Sequence, residues 1–479
     1  MQTAELSSVA GTLGPVSPES RDLSWWIDQG NRSAEAGQFV QAVEQYGQAL
    51  RLNPHFGPAW HNLGNLLLQL KSIDSAVTCY RNAVQYLPSD PLCAYSLGRA
   101  LNLIGQHREA LGHLTRARRA DPRGADIWTN LGIAHQHLGH AEQALACYDR
   151  AAALSPDAAE SQMNRAVVLL DQENFAEGWR AYEYRWQLLN FAKAAGRFAD
   201  KPRWQGEPLA GKRILLHAEQ GYGDMIQFAR FVPQVAAMAS EVYLEVPSRL
   251  WALFADLLPS GRVLSRGGTL PHYDLHCPLM SLPLALGLAP DTIPSEPYLR
   301  VPAEQRERAR HALAVASRGS RPRLRAGLAW RGNPSHRWDR VRSLRPAQLA
   351  PLAQVPGVQW VLLQQDATAE ELSALAPGFA PVHLRQQLDG FLATAALIEE
   401  LDLVVSVDTV TGHLTGALGQ PLWLLLPAFY DWRWHSHRAD SPWYPSAQLF
   451  RQEEAGEWTG VVERAAAELA QRVQDAGRP

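Results

Sequence analysis

The sequence predicts an α + α/β chain, an N-terminal α-solenoid followed by two doubly wound α/β lobes. Two observations carry that expectation. From about residue 23 to 158 small residues and prolines return at one fixed spacing, and beyond residue 210 short apolar runs alternate with helical segments. A chain of 479 residues has room for two or three domains, each with its own core.

The solenoid rests on four registers that agree. Gly30, Gly64, Gly98 and Gly132 are 34 residues apart, as are Ala42, Ala76, Ala110 and Ala144, and Pro54, Pro88, Pro122 and Pro156. Tyr46, Tyr80, Leu114 and Tyr148 share a large apolar position; Ala49, Ala83, Ala117 and Ala151 share a small one. Small residues let two antiparallel helices approach, the large residue plugs the gap to the next pair, and proline stops the second helix. This pattern resembles the tetratricopeptide repeat over residues 23–158. Stacked repeats coil around a concave groove, where Asn62, Asn65 and Asn130 read either as solvated helix surface or as a ladder for a peptide. Asn62 and Asn130 are two repeats apart. Residues 159–210 read as a degenerate capping repeat, with Ala166 and Gly178 at the small positions, and a polar, proline-bearing linker. Residues 1–22 read as a disordered tail without the basic start and apolar run of a signal peptide.

Composition narrows the partners. A net charge of −3 gives no general electrostatic case for nucleic acid. Cys79, Cys93, Cys147 and Cys277 are scattered without a C-x-x-C and read as buried free thiols of a reducing compartment. No apolar run reaches the ~20 residues of a transmembrane segment, and a cytoplasmic location is expected.

In the first lobe (211–302), KRILLHA, EVYLEVP and YDLHCPL read as strands, with helices at 224–239, 248–258 and 281–288. An arginine-rich helical connector (303–323) leads to the second lobe (324–479), where RAGLAW, VQWVLLQ, LVVSVD and PLWLLLP read as strands. Such alternation implies parallel sheets, and open parallel sheets bind ligands outside their strand C-termini.

Three loops there carry chemistry. Gln220, Gly221 and Gly223 form a turn ending in Asp224, after the strand KRILL. This turn lacks the third glycine of a dinucleotide fingerprint and the Gly-Lys-Ser/Thr of a P-loop. Asp224 suits a helix N-cap and, held in place by capping, a base as well. The loop AWRGNPSHRWDRVRSL (329–344) sets Arg331, Asn333, His336, Arg337, Arg340, Arg342 and Ser343 directly after a strand. It reads as a solvated charge run or as guanidinium forks for a diphosphate. At VVSVDTVTGHLTGALG (404–419) a strand gives way to a helix opening Thr409, Val410, Thr411, Gly412 and His413, a start suited to anions. His413 also fits a packed core histidine.

At these loops the chain resembles bacterial heptosyltransferase-type glycosyltransferases of GT-B fold, with two Rossmann-like lobes. HCPLMSLPLALG (276–287) and DWRWHSHRADSPWYPSAQLFRQ (431–452) reinforce the match, and the order of repeats before lobes is similar to the protein O-GlcNAc transferases. The resemblance implies Asp224 as catalytic base, with Gln220, Gly221 and Gly223 as the acceptor-side turn. It implies donor binding by Arg331, Asn333, Arg340, Arg342, Ser343, Asp408, Thr409, Thr411, Gly412 and His413, with arginine where heptosyltransferases use lysine. No Asp-x-Asp occurs, so metal-independent inverting transfer from a nucleotide sugar is expected, with no cofactor. His336 and Asp339 are the next candidates for the base. The repeats favour a protein or peptide acceptor, such as a surface or flagellar protein. Alternatives are a lipopolysaccharide or other glycan acceptor, and a non-catalytic repeat scaffold with a degenerate transferase domain.

Overall fold

The computed structural model describes residues 22–188, 196–219, 221–317, 322–336, 339–375, 379–384, 389–429 and 431–476. Of the tail expected over residues 1–22 only Asp22 lies among them, and Gln220 and Arg337 lie outside them. The chain divides into two compact units, Met1–Val168 and Leu169–Pro479.

The first unit is built of antiparallel helix pairs: α1 (Leu23–Glu35) with α2 (Phe39–Leu52), α3 (Gly57–Gln69) with α4 (Ile73–Tyr86), α5 (Pro91–Leu103) with α6 (His107–Ala120), and α7 (Ala125–His137) with α8 (Ala141–Leu154). The repeated alanines at both registers are fully buried. The large residue, however, does not plug the gap to the next pair. It seats on the glycine of its own pair: a Cβ on Gly30, Gly64 or Gly132 would lie 2.5 to 2.7 Å from the ring of Tyr46, Tyr80 or Tyr148, and one on Gly98 2.6 Å from Leu114. Glycine is required because any side chain would force the two helices apart. Each second helix ends two residues before its proline. Asn62 donates to Asn31 Oδ1 (3.1 Å), which also accepts from Tyr46 Oη, and Asn65 Oδ1 accepts from Tyr80 Oη at 2.8 Å. Asn130 donates to the Asp126 carbonyl of its own helix. Asn62 and Asn65 therefore brace neighbouring helices, whereas Asn130 bonds within its own.

A fifth pair, α9 (Ala159–Asp171) and α10 (Phe175–Tyr182), follows. Helix α10 is two turns long and its aromatic residues enter the core of the second unit. Trp179 meets Trp432 edge-on at 5.2 Å and Phe228 at 5.9 Å, and Phe175 stacks on Trp443 at 6.0 Å. Just beyond, Arg185 is fully buried and donates to both Glu219 oxygens (3.0 Å each), to Glu183 (2.7 Å) and to Ser281 (2.7 Å).

Two parallel sheets form the rest. In the first, β1 (Arg213–His217), β2 (Glu241–Val246), β3 (Val263–Ser265) and β4 (Leu275–Pro278) run in the order β3-β2-β1-β4. In the second, β5 (Leu324–Ala329), β6 (Val358–Leu362), β7 (Leu403–Val407), β8 (Leu422–Leu426) and β9 (Ala447–Arg451) run in the order β6-β5-β7-β8-β9. Strands β7 and β8 are buried at every residue, which is why they read as unbroken apolar runs. Each order reverses once, between β1 and β4 and between β5 and β7, and a reversal opens a crevice at the strand C-termini. The helix expected over 224–239 is instead α11 (Tyr222–Phe228), one 3₁₀ turn, and a second helix (Val232–Met238) with Pro233 in its first turn. Proline is tolerated there because the first-turn amides have no helical acceptor.

Candidate functional site

The loops after β1, β5 and β7 are those at the two reversals, and they carry the residues singled out from the sequence. Gly221 is the N-cap of α11 in extended backbone, and Asp224 Oδ2 accepts its N–H at 3.1 Å. Capping thus fixes the carboxylate. Gly223 lies against α12 (Val410–Ala417): a Cβ there would sit 2.6 Å from His413 Cδ2. Only glycine lets the first turn of α11 rest on that helix.

The other Asp224 oxygen meets a residue that the sequence reading passed over. Arg433 Nη2 donates to Asp224 Oδ1 at 2.6 Å, Nη1 to Asp431 Oδ1 at 2.6 Å, and Nε to Gln227 Oε1 at 2.6 Å. The Arg433 side chain is 6% exposed, whereas that of Asp224 retains 21%. Burial pushes the Asp224 carboxyl above the ordinary carboxylate range, against the pull of Arg433. The available signal was the D-W-R-W run at 431–434: an arginine between two tryptophans, in a segment otherwise used only to support a resemblance.

The loop after β5 does not present all its cations to the crevice. Arg331 donates to Glu371 (2.8 and 3.2 Å) and to Asp366 (2.6 Å), so the fork expected for a diphosphate is filled by carboxylates. Asn333 is a turn residue: its Oδ1 accepts from the N–H and hydroxyl of Ser335. Ser343 Oγ accepts from Gly332 N–H at 3.1 Å and pins the loop base. Arg340 is exposed on the short helix Asp339–Arg342, His336 is exposed, and Asp339 is buried. Arg342 bridges the loops, donating to the Asp408 carbonyl at 2.8 Å and to Asp339 at 3.3 Å.

At the loop after β7, Thr409 is the N-cap of α12, buried, with Oγ1 3.2 Å from Ser406 Oγ rather than on a helix amide. The amides of the first turn, which includes Thr411, have no helical acceptor. Gly412 packs on Leu424, where a Cβ would come within 2.9 Å. His413 takes the core-histidine role: it is buried, its Nδ1 lies 3.0 Å from Tyr444 Oη, and its ring stacks on Trp434 at 5.4 Å. Burial holds it well below its ordinary pKa, hence neutral.

Asp408 is also displaced from its ordinary value. Burial, with Asp431 beside it, pushes its carboxyl up to about 6, against Arg342 and Arg433. The unfolded value is about 3.9, so the folded state holds the extra proton between those two pH values and loses stability as pH rises through that window. Asp408→Asn is therefore expected to raise the melting temperature at pH 7 to 8, by about 1 to 3 kcal/mol in stability, and to change little below pH 4. Thermal melts across pH check both the sign and the window.

Comparison with known proteins bears on the repeats. Residues 33–100, 95–139 and 125–158 each match a tetratricopeptide-repeat family, so the N-terminal solenoid is one of tetratricopeptide repeats. Protein FlbA of Caulobacter vibrioides is 28% identical over 524 aligned residues, covering 94% of this chain and 84% of FlbA. BBSome complex member BBS4 of Mus musculus is 26% identical over 157 residues, 33% of this chain and 30% of BBS4. Among solved structures, MamA aligns over 35% of this chain and 96% of its own with TM-score 0.31 and 18% identity. YrrB, described as a TPR protein with an unusual peptide-binding site, aligns over 42% and 97% with TM-score 0.33 and 18% identity. Among the described residues no helix is long and apolar enough to cross a membrane.

Proposed function

We propose that this protein is a repeat-based interaction scaffold that takes up a protein or peptide, a surface or flagellar protein being one such acceptor, and carries a GT-B unit that transfers a sugar to it from a nucleotide sugar. The interaction half is supported by the matched repeats. The transfer half is supported by one observation: loops from both sheet reversals meet where Asp224 pairs with Arg433 and Gly223 rests on His413.

In this reading the acceptor hydroxyl gives its proton to Asp224 as its oxygen bonds to the anomeric carbon, and the bond from that carbon to the diphosphate breaks with its electron pair. The first-turn amides of α12 and the guanidiniums of Arg342 and Arg340 offset the charge that leaves on the diphosphate. Transfer of this kind inverts the anomeric centre and uses no metal. A cytoplasmic setting belongs to the same proposal. It fits four cysteines that are all buried and free, with burial pushing Cys79 up to about 12 and Cys93 and Cys147 up to about 11.

The second reading, a scaffold whose α/β unit has lost turnover, is favoured by two features. Arg331 is committed to Glu371 and Asp366, and both Asp224 oxygens are already engaged. The scaffold part of this reading is supported by the repeat models matched at residues 33–100, 95–139 and 125–158.

Binding of UDP, GDP, ADP, CMP and TDP to the intact protein, followed by product analysis with the matching nucleotide sugars, separates the two. Transfer predicts one preferred nucleotide and a glycosylated acceptor, with a glycan acceptor as the other product to look for; the scaffold reading predicts neither. The double substitution Thr409→Val, Thr411→Val is expected to weaken the preferred nucleotide by about 1 to 3 kcal/mol per hydrogen bond lost to a charged group. Calorimetry showing unchanged affinity in the folded double variant would count against a donor site at α12.

A further inference from the structure

The transfer scheme uses Asp224 and gives Arg433 no part, yet the geometry ties the two together. Each guanidinium nitrogen of Arg433 donates to a side chain, on Asp224, Asp431 and Gln227, all at 2.6 Å. Trp432 lies 4.4 Å and Phe228 5.7 Å from the guanidinium carbon and shield it from water. Asp224 and Gln227 are three residues apart on α11 and so share one face of the helix. One rigid fork therefore grips the first turn of α11 at two points, and the Gly221 N–H holds the remaining Asp224 oxygen. A flexible ammonium would not impose that geometry.

We propose that Arg433 is the positioning residue for Asp224, setting both the aim and the basicity of its carboxylate, with Asp431 as the counterweight that shares the guanidinium. The inference rests on the transfer reading for its catalytic meaning. The charged groups facing Asp224 come from two loops, Arg433 and Asp431 after β8 and Arg342 after β5; Asp408 after β7 faces Asp431 and both arginines. His413 on α12 is neutral. Arg433 opposes the effect of burial on Asp224 and Asp431 adds to that effect. Loss of the two charges must therefore move Asp224 in opposite directions.

The test is infrared titration of the intact protein with carboxyl-labelled aspartate, each spectrum paired with the same variant carrying Asp224→Asn to isolate that carboxyl. In Arg433→Met the midpoint is expected to rise by about one pH unit or more, tenfold in proton affinity, with partial return in Arg433→Lys. Arg433→Met strips two carboxylates of a buried partner and is at risk of not folding. Asp431→Asn, which keeps the oxygen that caps the 3₁₀ turn at 432–434, must then lower the midpoint. An Asp431→Asn midpoint that stays put or rises overturns the proposal, as does a folded Arg433→Met that titrates like the wild type. With whichever nucleotide sugar the panel identifies, Arg433→Lys is expected to lower kcat at least tenfold at unchanged KM and to shift the acid limb of the rate profile with the infrared midpoint. If the panel yields no transfer, the transfer reading falls by itself, and the infrared midpoints still decide whether Arg433 governs Asp224.

Discussion

If the α/β unit transfers a sugar as proposed, Asp224→Asn is expected to abolish transfer while leaving nucleotide affinity nearly unchanged. Asparagine keeps the shape of aspartate and an oxygen able to accept the Gly221 N–H, so the cap survives. Arg433 loses an acceptor at Nη2, where the amide nitrogen now lies, but keeps Asp431 as a charged partner, so no buried cation is orphaned and the fold should hold at some cost in stability. What disappears is the proton acceptor. General-base catalysis contributes about 10²- to 10⁴-fold, or ~3 to 5 kcal/mol in the barrier. Initial rates with the identified donor, set beside calorimetric nucleotide affinity, check the outcome. A variant that turns over near the wild-type rate would leave Asp224 as a helix cap, and His336 and Asp339 would be the next bases to test. The position of Asp339 weakens its case, since it is buried and paired with Arg342.

The repeats were legible because their physics is local. Gly132 is glycine because Tyr148, sixteen residues on, needs its surface, and the same demand recurs in each of the four regular pairs, so spacing alone exposes it. Strands β1, β5, β7 and β8 were legible because burial on both faces leaves continuous apolar runs. Strand β9 was not: in AQLFR one residue is exposed and one half-buried, and so short a run does not stand out. Strand β3, three residues long, offers even less. At the site, Asp224, Asp408 and the start of α12 could be read because a glycine turn or a strand end marks each. Arg433 could not, because its role depends on partners 209 and 206 positions away, Asp224 and Gln227, and pairing across that distance leaves no periodic trace. Arg331 shows the reverse limit. A guanidinium just after a strand looks available for phosphate until the fold brings Glu371 and Asp366 to it.

A polar stretch at 191–210 invites a cut there, and the packing of α10 predicts that such a cut fails. A chain beginning at Lys201 would lose Phe175, Trp179, Tyr182 and Arg185, all buried in the second unit. Removing a buried tryptophan side chain alone costs about 3 to 5 kcal/mol. Glu219, whose side chain is 1% exposed and held by Arg185 through both oxygens, would be left as a buried carboxylate without its cation, a further ~3 to 5 kcal/mol. These losses share a core and do not add fully, yet together they rival the ~5 to 15 kcal/mol that holds a typical domain folded. The Lys201 chain is therefore expected to be insoluble or to melt without a cooperative transition. A chain beginning at Ala159, which keeps the whole fifth helix pair, should melt cooperatively and retain any nucleotide binding. In the transfer reading, that longer fragment should also lose modification of a protein acceptor that the intact chain modifies, since the four regular repeats are gone. Circular dichroism melts of the two fragments decide the structural claim. A Lys201 chain that unfolds cooperatively within a few degrees of the Ala159 chain would show that α10 and Arg185 merely cover the second unit, and that its core closes without them.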